Sequence, residues 1–203
     1  GSKYLLEVDG RRVLVDCGLF QGLKELRLRN WESLPFDPSD LAGAVLTHAH
    51  LDHTGYLPRL VADGYRGRIF CTAGTADLCK LVLPDSARLQ EEQARDANRS
   101  NYSKHNPALP LYREPDAFRA LSQLQPMGFN RPISLIDGVD IEFINAGHLL
   151  GSSFIRMTLR GGPTILFGGA RVGSNMQAGG RFDIGWWADP RKCFGLGWRF
   201  FGL

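Results

Sequence analysis

The most informative stretch of the sequence is residues 44–55, AVLTHAHLDHTG. Its apolar first half predicts a buried strand, and four candidate metal ligands follow where that strand ends: His48, His50, Asp52 and His53. Alternate residues of an extended chain point to the same side, so His48 and His50 can direct two imidazoles at one ion. Asp52 and His53 follow as the chain leaves the strand, where they can reach a second ion. Imidazole and carboxylate groups suit Zn²⁺ and tolerate Mn²⁺ or Fe²⁺, so the stretch predicts a hydrolytic metal centre.

The alternative for this stretch is a polar loop at a strand end that binds no metal. Three of the five histidines of the chain fall within residues 48–53, together with the carboxylate of Asp52. This concentration of ligand groups favours metal binding. His105, by contrast, lies in a polar segment next to a proline, and we expect it to be an exposed loop residue and not a ligand.

Two residues elsewhere extend the predicted centre. His148 follows an apolar strand within residues 145–152, NAGHLLGS, and its loop can bring a third imidazole to the first ion. Asp16 ends the second strand of a predicted hairpin, where its carboxylate can orient a ligand imidazole from behind. An aspartate that caps the turn before Gly18 is the alternative for Asp16, and the local sequence leaves both roles open.

The remaining pattern predicts a layered α/β (α+β) domain with two sheet halves and helices packed outside them. Asp9-Gly10 between two strand-like stretches predicts a hairpin. The other predicted strands cover residues 42–47, 68–72, 133–136, 139–146, 153–159 and 164–167. Predicted helices cover residues 55–63, residues 75 to about 83 with Thr75 as the N-cap, a separate solvated helix over 85–101, and residues 115–125.

Composition limits the classes of function. No run of 18 apolar residues occurs, which excludes a membrane-spanning helix. Four cysteines without a Cys-x-x-Cys pair predict free thiols in a reducing cytoplasm. Residues 168–203 carry five Lys/Arg against two Asp/Glu, out of 24 and 21 in the whole chain, which leaves 19 of each sign in residues 1–167. This balance gives no global indication of a surface that binds nucleic acid.

The sequence changes character at about residue 168. Residues 168–203 contain nine of the 24 glycines and three of the four tryptophans, and neither a helical nor a strand period is clear there. We therefore divide the chain into residues 1–167, the predicted domain, and an atypical Gly/Trp-rich tail over residues 168–203. We expect this tail to be disordered or the product of a misread sequence.

Residues 47–60, THAHLDHTGYLPRL, resemble the signature of the metallo-β-lactamase superfamily. Residues 83–98, LPDSARLQEEQARDAN, and residues 146–154, AGHLLGSSF, are similar to stretches of its RNA-processing β-CASP branch. The resemblance extends from Gly1 to about Phe167. It implies an αββα sandwich, here incomplete, and a zinc-dependent hydrolase of RNA phosphodiester bonds.

The resemblance also implies a role for each candidate residue. His48, His50 and His148 would hold one zinc ion, and Asp52 and His53 would hold the other. Asp52 and His53 are then the implied catalytic residues, with Asp52 close to the attacking water. RNA is the expected partner and Zn²⁺ the expected cofactor.

The sequence departs from the family pattern at one site position. The family's Ser-Gly-Asp-Leu-Gly pattern supplies an aspartate that bridges both metals, whereas Ala170 stands at that place. The β-CASP domain and the later motifs are also missing from the 203 residues, so we expect a fragment with one or two zinc ions and impaired activity. Two alternatives stay open: a non-catalytic metal-binding remnant or scaffold, and a hydrolase of a small ester or thioester. Uncovered sheet edges predict aggregation or a homo-oligomer.

Overall fold

The computed structural model describes residues 1–168, in which two stacked β-sheets carry helices on one side. The strands of this part are β1 (Tyr4–Val8), β2 (Arg11–Val15), β3 (Leu41–Val45), β4 (Ile69–Thr72), β5 (Leu124–Met127), β6 (Ile133–Ile136), β7 (Val139–Asn145), β8 (Ser153–Leu159) and β9 (Thr164–Phe167). The α-helices are α1 (Lys24–Leu28), α2 (Leu51–Thr54), α3 (Leu57–Ala62), α4 (Ala73–Arg99) and α5 (Glu114–Ser122), with 3₁₀ turns at Arg29–Trp31 and Pro38–Asp40. Apart from Gly168, the predicted tail over residues 168–203 lies outside the described residues.

The first sheet has the strand order β1-β2-β3-β4-β5. Strands β1 and β2 are the predicted hairpin, and they pair antiparallel along their whole length. Asp9 and Gly10 form its turn with positive φ angles of 49° and 73°, which two-residue hairpin turns favour. Strands β3, β4 and β5 run parallel to β2, so the carboxyl ends of these four strands lie at one edge of the sheet.

The second sheet is antiparallel, with the order β6-β7-β8-β9, and its strands lie in the four stretches predicted between residues 133 and 167. Gly138 turns the chain between β6 and β7 and Gly161 turns it between β8 and β9, with φ angles of 84° and 69° that glycine adopts without steric cost. The inner face of this sheet packs on the first sheet through a shared apolar core, whose buried members include Val13, Val15, Val45, Phe143, Ile155 and Met157.

Helices pack on the opposite face of the first sheet. The core on this side joins β2, α3 and α4 and includes Leu14, Leu60, Tyr65 and Leu83. Successive residues of β2 therefore enter different cores, as the two-residue period of a strand requires. The result is a helix–sheet–sheet arrangement over the described residues, which confirms the predicted layered fold. Among residues 1–168, none of the helices has the length and apolar character that a bilayer crossing requires.

Helix α4 differs from its prediction at both its start and its middle. It is one helix that continues through Pro84, whereas the sequence predicts two helices that meet there. A proline inside a helix costs about 3 kcal/mol, but Leu83 and Ala87 are fully buried on either side and offset this cost. The N-cap is Thr72 and not Thr75, because the Thr72 side chain accepts the hydrogen bond from the N–H of Thr75.

The prediction for residues 115–125 is wrong at its end. Helix α5 ends at Ser122, and β5 begins at Leu124, within the predicted helix. Strand β5 pairs with all four residues of β4. This pairing at the sheet edge outweighs the local preference of these residues for a helix.

Candidate metal centre

The candidate ligands lie at the carboxyl edge of the first sheet. Strand β2 leads directly into Asp16, and β3 leads into His48 and His50. The loop after β7 reaches the same edge, because Ser153 donates hydrogen bonds from its N–H and its hydroxyl to the Thr47 carbonyl, at 2.9 and 3.0 Å. The topology therefore brings residues from three distant parts of the chain together.

His48, His50 and His148 form a cluster of three imidazoles. One ring nitrogen of each lies within 4.8 Å of the corresponding nitrogens of the other two. The Nε2 atom of His48 lies 3.1 Å from Nδ1 of His50, and Nε2 of His148 lies 3.4 Å from that same Nδ1 atom. The structure thus brings together the three histidines that the resemblance assigns to the first ion.

Asp52 and His53 stand beside this cluster on α2. The sequence predicts a helix that begins four residues later, but α2 begins directly after His50, whose carbonyl accepts the N–H of His53 at 2.9 Å. The ring centroids of His53 and His48 are 4.0 Å apart. Oδ2 of Asp52 lies 3.5 Å from Nε2 of His53, and the Asp52 side chain is 51% exposed against 12% for His53. An exposed carboxylate and a mostly buried imidazole therefore face each other next to the cluster.

Asp16 is buried behind the site. Its Oδ2 lies 2.7 Å from Nδ1 of His53, and Thr47 donates from its N–H and its hydroxyl to the two carboxylate oxygens, each at 2.8 Å. The N–H of Gly18 donates instead to the Ser2 carbonyl, at 2.9 Å. Of the two roles open for Asp16, contact with an imidazole is therefore the one that this geometry supports.

Thr47 is a site residue that the sequence pattern does not reveal. Its hydroxyl donates to Asp16 and lies 2.9 Å from Nδ1 of His48, from which it can accept a hydrogen bond. His53 likewise directs its Nδ1 at Asp16. If both rings carry their proton on Nδ1, their Nε2 lone pairs point away from Asp16. A small hydroxyl residue directly before the first histidine is the signal that could have identified Thr47.

The electrostatics of the site favour the neutral imidazole at two histidines of the cluster, His48 and His50. Burial, followed by the neighbouring His53, His50 and His148, lowers the pKa of His48 to about 3. Burial and His148 also lower the pKa of His50. Burial alone would lower the pKa of His53, but its hydrogen bond to Asp16 and the charge of that carboxylate raise it. Neutral imidazole is the form that binds metal ions, so these shifts favour the ligand form of His48 and His50.

The loop between β7 and β8 carries His148. Within it, Oγ of Ser152 accepts hydrogen bonds from the N–H groups of His148 and Leu149, at 3.0 and 3.1 Å. Gly147 turns the chain with a φ angle of 67°. These bonds give the short loop a defined shape at the edge of the site.

Other predicted residues lie elsewhere. His105 is exposed and does not belong to the histidine cluster of the described residues. Cys17, Cys71 and Cys79 are buried free thiols, as predicted. Ala170 and Cys193 lie outside the described residues.

Known proteins are similar to this chain over most of its length. A ribonuclease of Thermus thermophilus is 37% identical over 169 residues, which are 83% of this chain and 34% of that protein. The transcription termination factor FttA of Cenarchaeum symbiosum is 29% identical over 94% of this chain and 27% of its own length. The cleavage and polyadenylation specificity factor subunit 3-I of Arabidopsis thaliana is 26% identical over 75% of this chain and 20% of its own length. The chain thus spans about a third or less of these curated relatives.

Two protein families and a solved structure are also similar to parts of this chain. The family described as metallo-beta-lactamase superfamily matches residues 1–64, and the family described as putative beta barrel porin-7 matches residues 158–203. A solved metallo-beta-lactamase from Cronobacter sakazakii is 24% identical, with a TM-score of 0.48, over 82% of this chain and 56% of that one. The histidine-rich signature and the named relatives lead to one conclusion: the chain belongs to the metallo-β-lactamase superfamily, on its RNA-processing β-CASP branch.

Proposed function

We propose that the chain is the metal-binding portion of a hydrolase that cleaves RNA phosphodiester bonds. The observation that carries the proposal is the cluster of His48, His50 and His148, with ring nitrogens within 4.8 Å of one another. The relatives named as a ribonuclease and as a cleavage factor subunit support RNA as the substrate class over a small ester or thioester.

The donors of the cluster fit a zinc ion. Imidazole nitrogen is a common zinc ligand, and catalytic zinc sites often use three protein ligands and keep one position open. His48, His50 and His148 would hold the first ion, and Asp52 and His53 would contribute to a second. A zinc ion held in this way supplies a Lewis acid for a phosphate oxygen and lowers the pKa of water.

Asp52 is the residue that we assign to the reacting water. Its side chain is half exposed, and its contact with His53 uses Oδ2, which leaves Oδ1 open to accept a proton from water. Asp16 holds His53 from the other side, which fixes the position of its ring beside Asp52. Asp52 and His53 are therefore the proposed catalytic residues.

Ala170 favours a second candidate function. It stands where the resemblance expects the bridging aspartate, and a methyl group cannot ligate a metal ion. Two cations that share no bridging carboxylate repel each other more strongly. In this alternative the chain binds one zinc ion and acts as a non-catalytic remnant or scaffold.

The cysteines support the cytoplasm as the place of action. Cys17, Cys71 and Cys79 are free thiols, each buried among apolar groups. Unpaired cysteines are typical of a reducing compartment.

Zinc content per chain tests the metal site. Elemental analysis would compare the wild type with His50→Ala and with His105→Ala, which removes an exposed histidine outside the cluster. We expect about one or two zinc ions per chain in the wild type and in His105→Ala, and a clear loss in His50→Ala. A folded wild-type chain without zinc would contradict both candidate functions.

Cleavage of labelled single-stranded RNA separates the two candidates. The wild type with zinc should cleave it, and Asp52→Asn should lose about 100-fold in rate or more while it retains the first zinc ion. A wild type that binds zinc and leaves RNA intact would support the scaffold instead.

A further inference from the structure

The loop that carries His148 is fastened to the start of α4 through one atom, the carbonyl oxygen of Gly151. The hydroxyl of Thr72 donates to this oxygen at 2.5 Å, and the hydroxyl of Thr75 donates to it at 3.0 Å. A carbonyl oxygen has two lone pairs, so it can accept both hydrogen bonds at once. Thr72 and Thr75 are 1% and 0% exposed, so water does not compete for these hydroxyls.

The backbone of the loop also contacts the backbone of α4 so closely that Gly151 and Gly74 have no room for a side chain. A Cβ atom on Gly151 would lie 2.2 Å from the nitrogen of Thr75, and one on Gly74 would lie 2.8 Å from the nitrogen of Gly151. Gly151 has a φ angle of 77°, which glycine tolerates best. The loop therefore fits the start of α4 in one closely defined position.

Two such attachments follow His148 along the chain. Ser153, five residues beyond His148, joins the end of the loop to the Thr47 carbonyl, next to the first histidine of the cluster. The two threonine hydroxyls hold Gly151, which lies three residues beyond His148. Because the loop is only a few residues long, a shift of either attachment moves the imidazole.

We propose that Thr75 is a positioning residue for His148. Together with Thr72 it holds the Gly151 carbonyl, and so sets the distance from His148 to the other two imidazoles of the cluster. This inference rests on the proposed function, because that distance matters when the three imidazoles bind one ion. Thr75 is the sharper test, since Thr72 also caps α4 by accepting the N–H of Thr75.

Two substitutions of Thr75 distinguish the effect of its hydroxyl group from the effect of its side-chain shape. Thr75→Val keeps the shape and removes the donor, whereas Thr75→Ser keeps the donor. Zinc affinity would be measured by competition with a chromogenic chelator, and the visible spectrum of the Co²⁺-loaded chain would report the ligand geometry. We expect Thr75→Val to lose about 10-fold in zinc affinity, as for other groups that support metal ligands. Its Co²⁺ spectrum should shift toward that of His148→Ala, and Thr75→Ser should restore both readouts.

Ser86→Ala is the matched control on the same helix. It removes a buried hydroxyl that lies 2.8 Å from the hydroxyl of Tyr112, at a place without contact to the cluster. Circular dichroism would confirm that each variant folds, and Thr75→Ala would replace the valine variant if that one does not. We expect Ser86→Ala to retain the zinc affinity of the wild type.

The outcomes distinguish this inference from the proposed function. Unchanged zinc affinity in Thr75→Val, or an equal loss in Ser86→Ala, would overturn the positioning role while the metal site stands. A wild-type chain that binds no zinc would overturn both. The wild-type chain could bind zinc but leave RNA intact, while Thr75→Val shows the expected loss of zinc affinity. This outcome would support the positioning role and contradict the proposed nuclease activity.

Discussion

Thr47 donates two hydrogen bonds to Asp16, one from its N–H to Oδ1 and one from its hydroxyl to Oδ2, each 2.8 Å long. The two residues follow neighbouring parallel strands and lie 31 positions apart in the sequence. A buried carboxylate is costly unless its oxygens are hydrogen-bonded, and the third donor here is His53. The pair therefore links the ends of β2 and β3 to the imidazoles of the candidate centre.

Asp16→Asn should weaken metal binding strongly. The amide would place either a second donor or a weaker acceptor against Nδ1 of His53, so the ring would lose its fixed orientation. Loss of such a partner behind a metal ligand typically costs about 10- to 100-fold in metal affinity, which competition with a chelator would measure. Asp9→Asn is the matched control, because Asp9 is exposed in the hairpin turn at a φ angle of 49° that asparagine also tolerates. Equal zinc affinity in Asp16→Asn and the control would contradict a supporting role for Asp16.

The buried cysteines should resist modification in the folded chain. Burial raises the pKa values of Cys17, Cys71 and Cys79 to about 12 each, so at pH 8 these groups are neutral thiols. Only the thiolate reacts, and a pKa near 12 leaves a thiolate fraction on the order of 10⁻⁴ at that pH. In a Cys193→Ser background, DTNB should therefore find no fast-reacting thiol at pH 8, and three after unfolding in guanidinium. Rapid reaction of one thiol without denaturant would show that the core around it is open.

Phe143→Ala should destabilise the packing between the sheets. Phe143 is fully buried in the core that joins them, and removal of a buried phenylalanine ring costs about 3–5 kcal/mol. Phe118→Ala is the control, because Phe118 is 55% exposed on α5 and its loss should change the free energy of unfolding by about 0.5 kcal/mol or less. Urea unfolding followed by circular dichroism would measure both. Similar effects of the two substitutions would mean that the sheets do not share a common core.

The sequence predicts those parts of the fold that local chemistry decides. The β1–β2 hairpin and the second sheet follow from alternating apolar residues and from turns such as Asp9-Gly10 and Gly138, whose conformations favour those residue types. The passage of α4 through Pro84 and the strand conformation of β5 depend instead on tertiary partners. Neither burial beside Pro84 nor pairing with β4 is visible in the local pattern.

The candidate site likewise combines features that the local sequence predicts with features that depend on the fold. The spacing of His48 and His50 predicts that their side chains share a direction, and the structure places their ring nitrogens 3.1 Å apart. His148 lies 98 positions after His50, and its approach depends on the fold and was expected from the resemblance. Thr47 and Thr75 have partners 31 and 76 positions away, so no local pattern reveals what their hydroxyls bind.

Ala170→Asp should raise the zinc content of the chain. The resemblance places the family's bridging aspartate at this position, and a carboxylate shared by two cations reduces their mutual repulsion. If the wild type binds about one zinc ion, the variant should bind about two and should gain RNA cleavage, since two adjacent ions stabilise both the attacking and the leaving oxygen. Ala178→Asp, which adds the same charge eight residues later, is the control and should bind as the wild type does. Elemental analysis measures both variants, and an equal zinc content in the two would contradict the assignment of Ala170 to the bridging position.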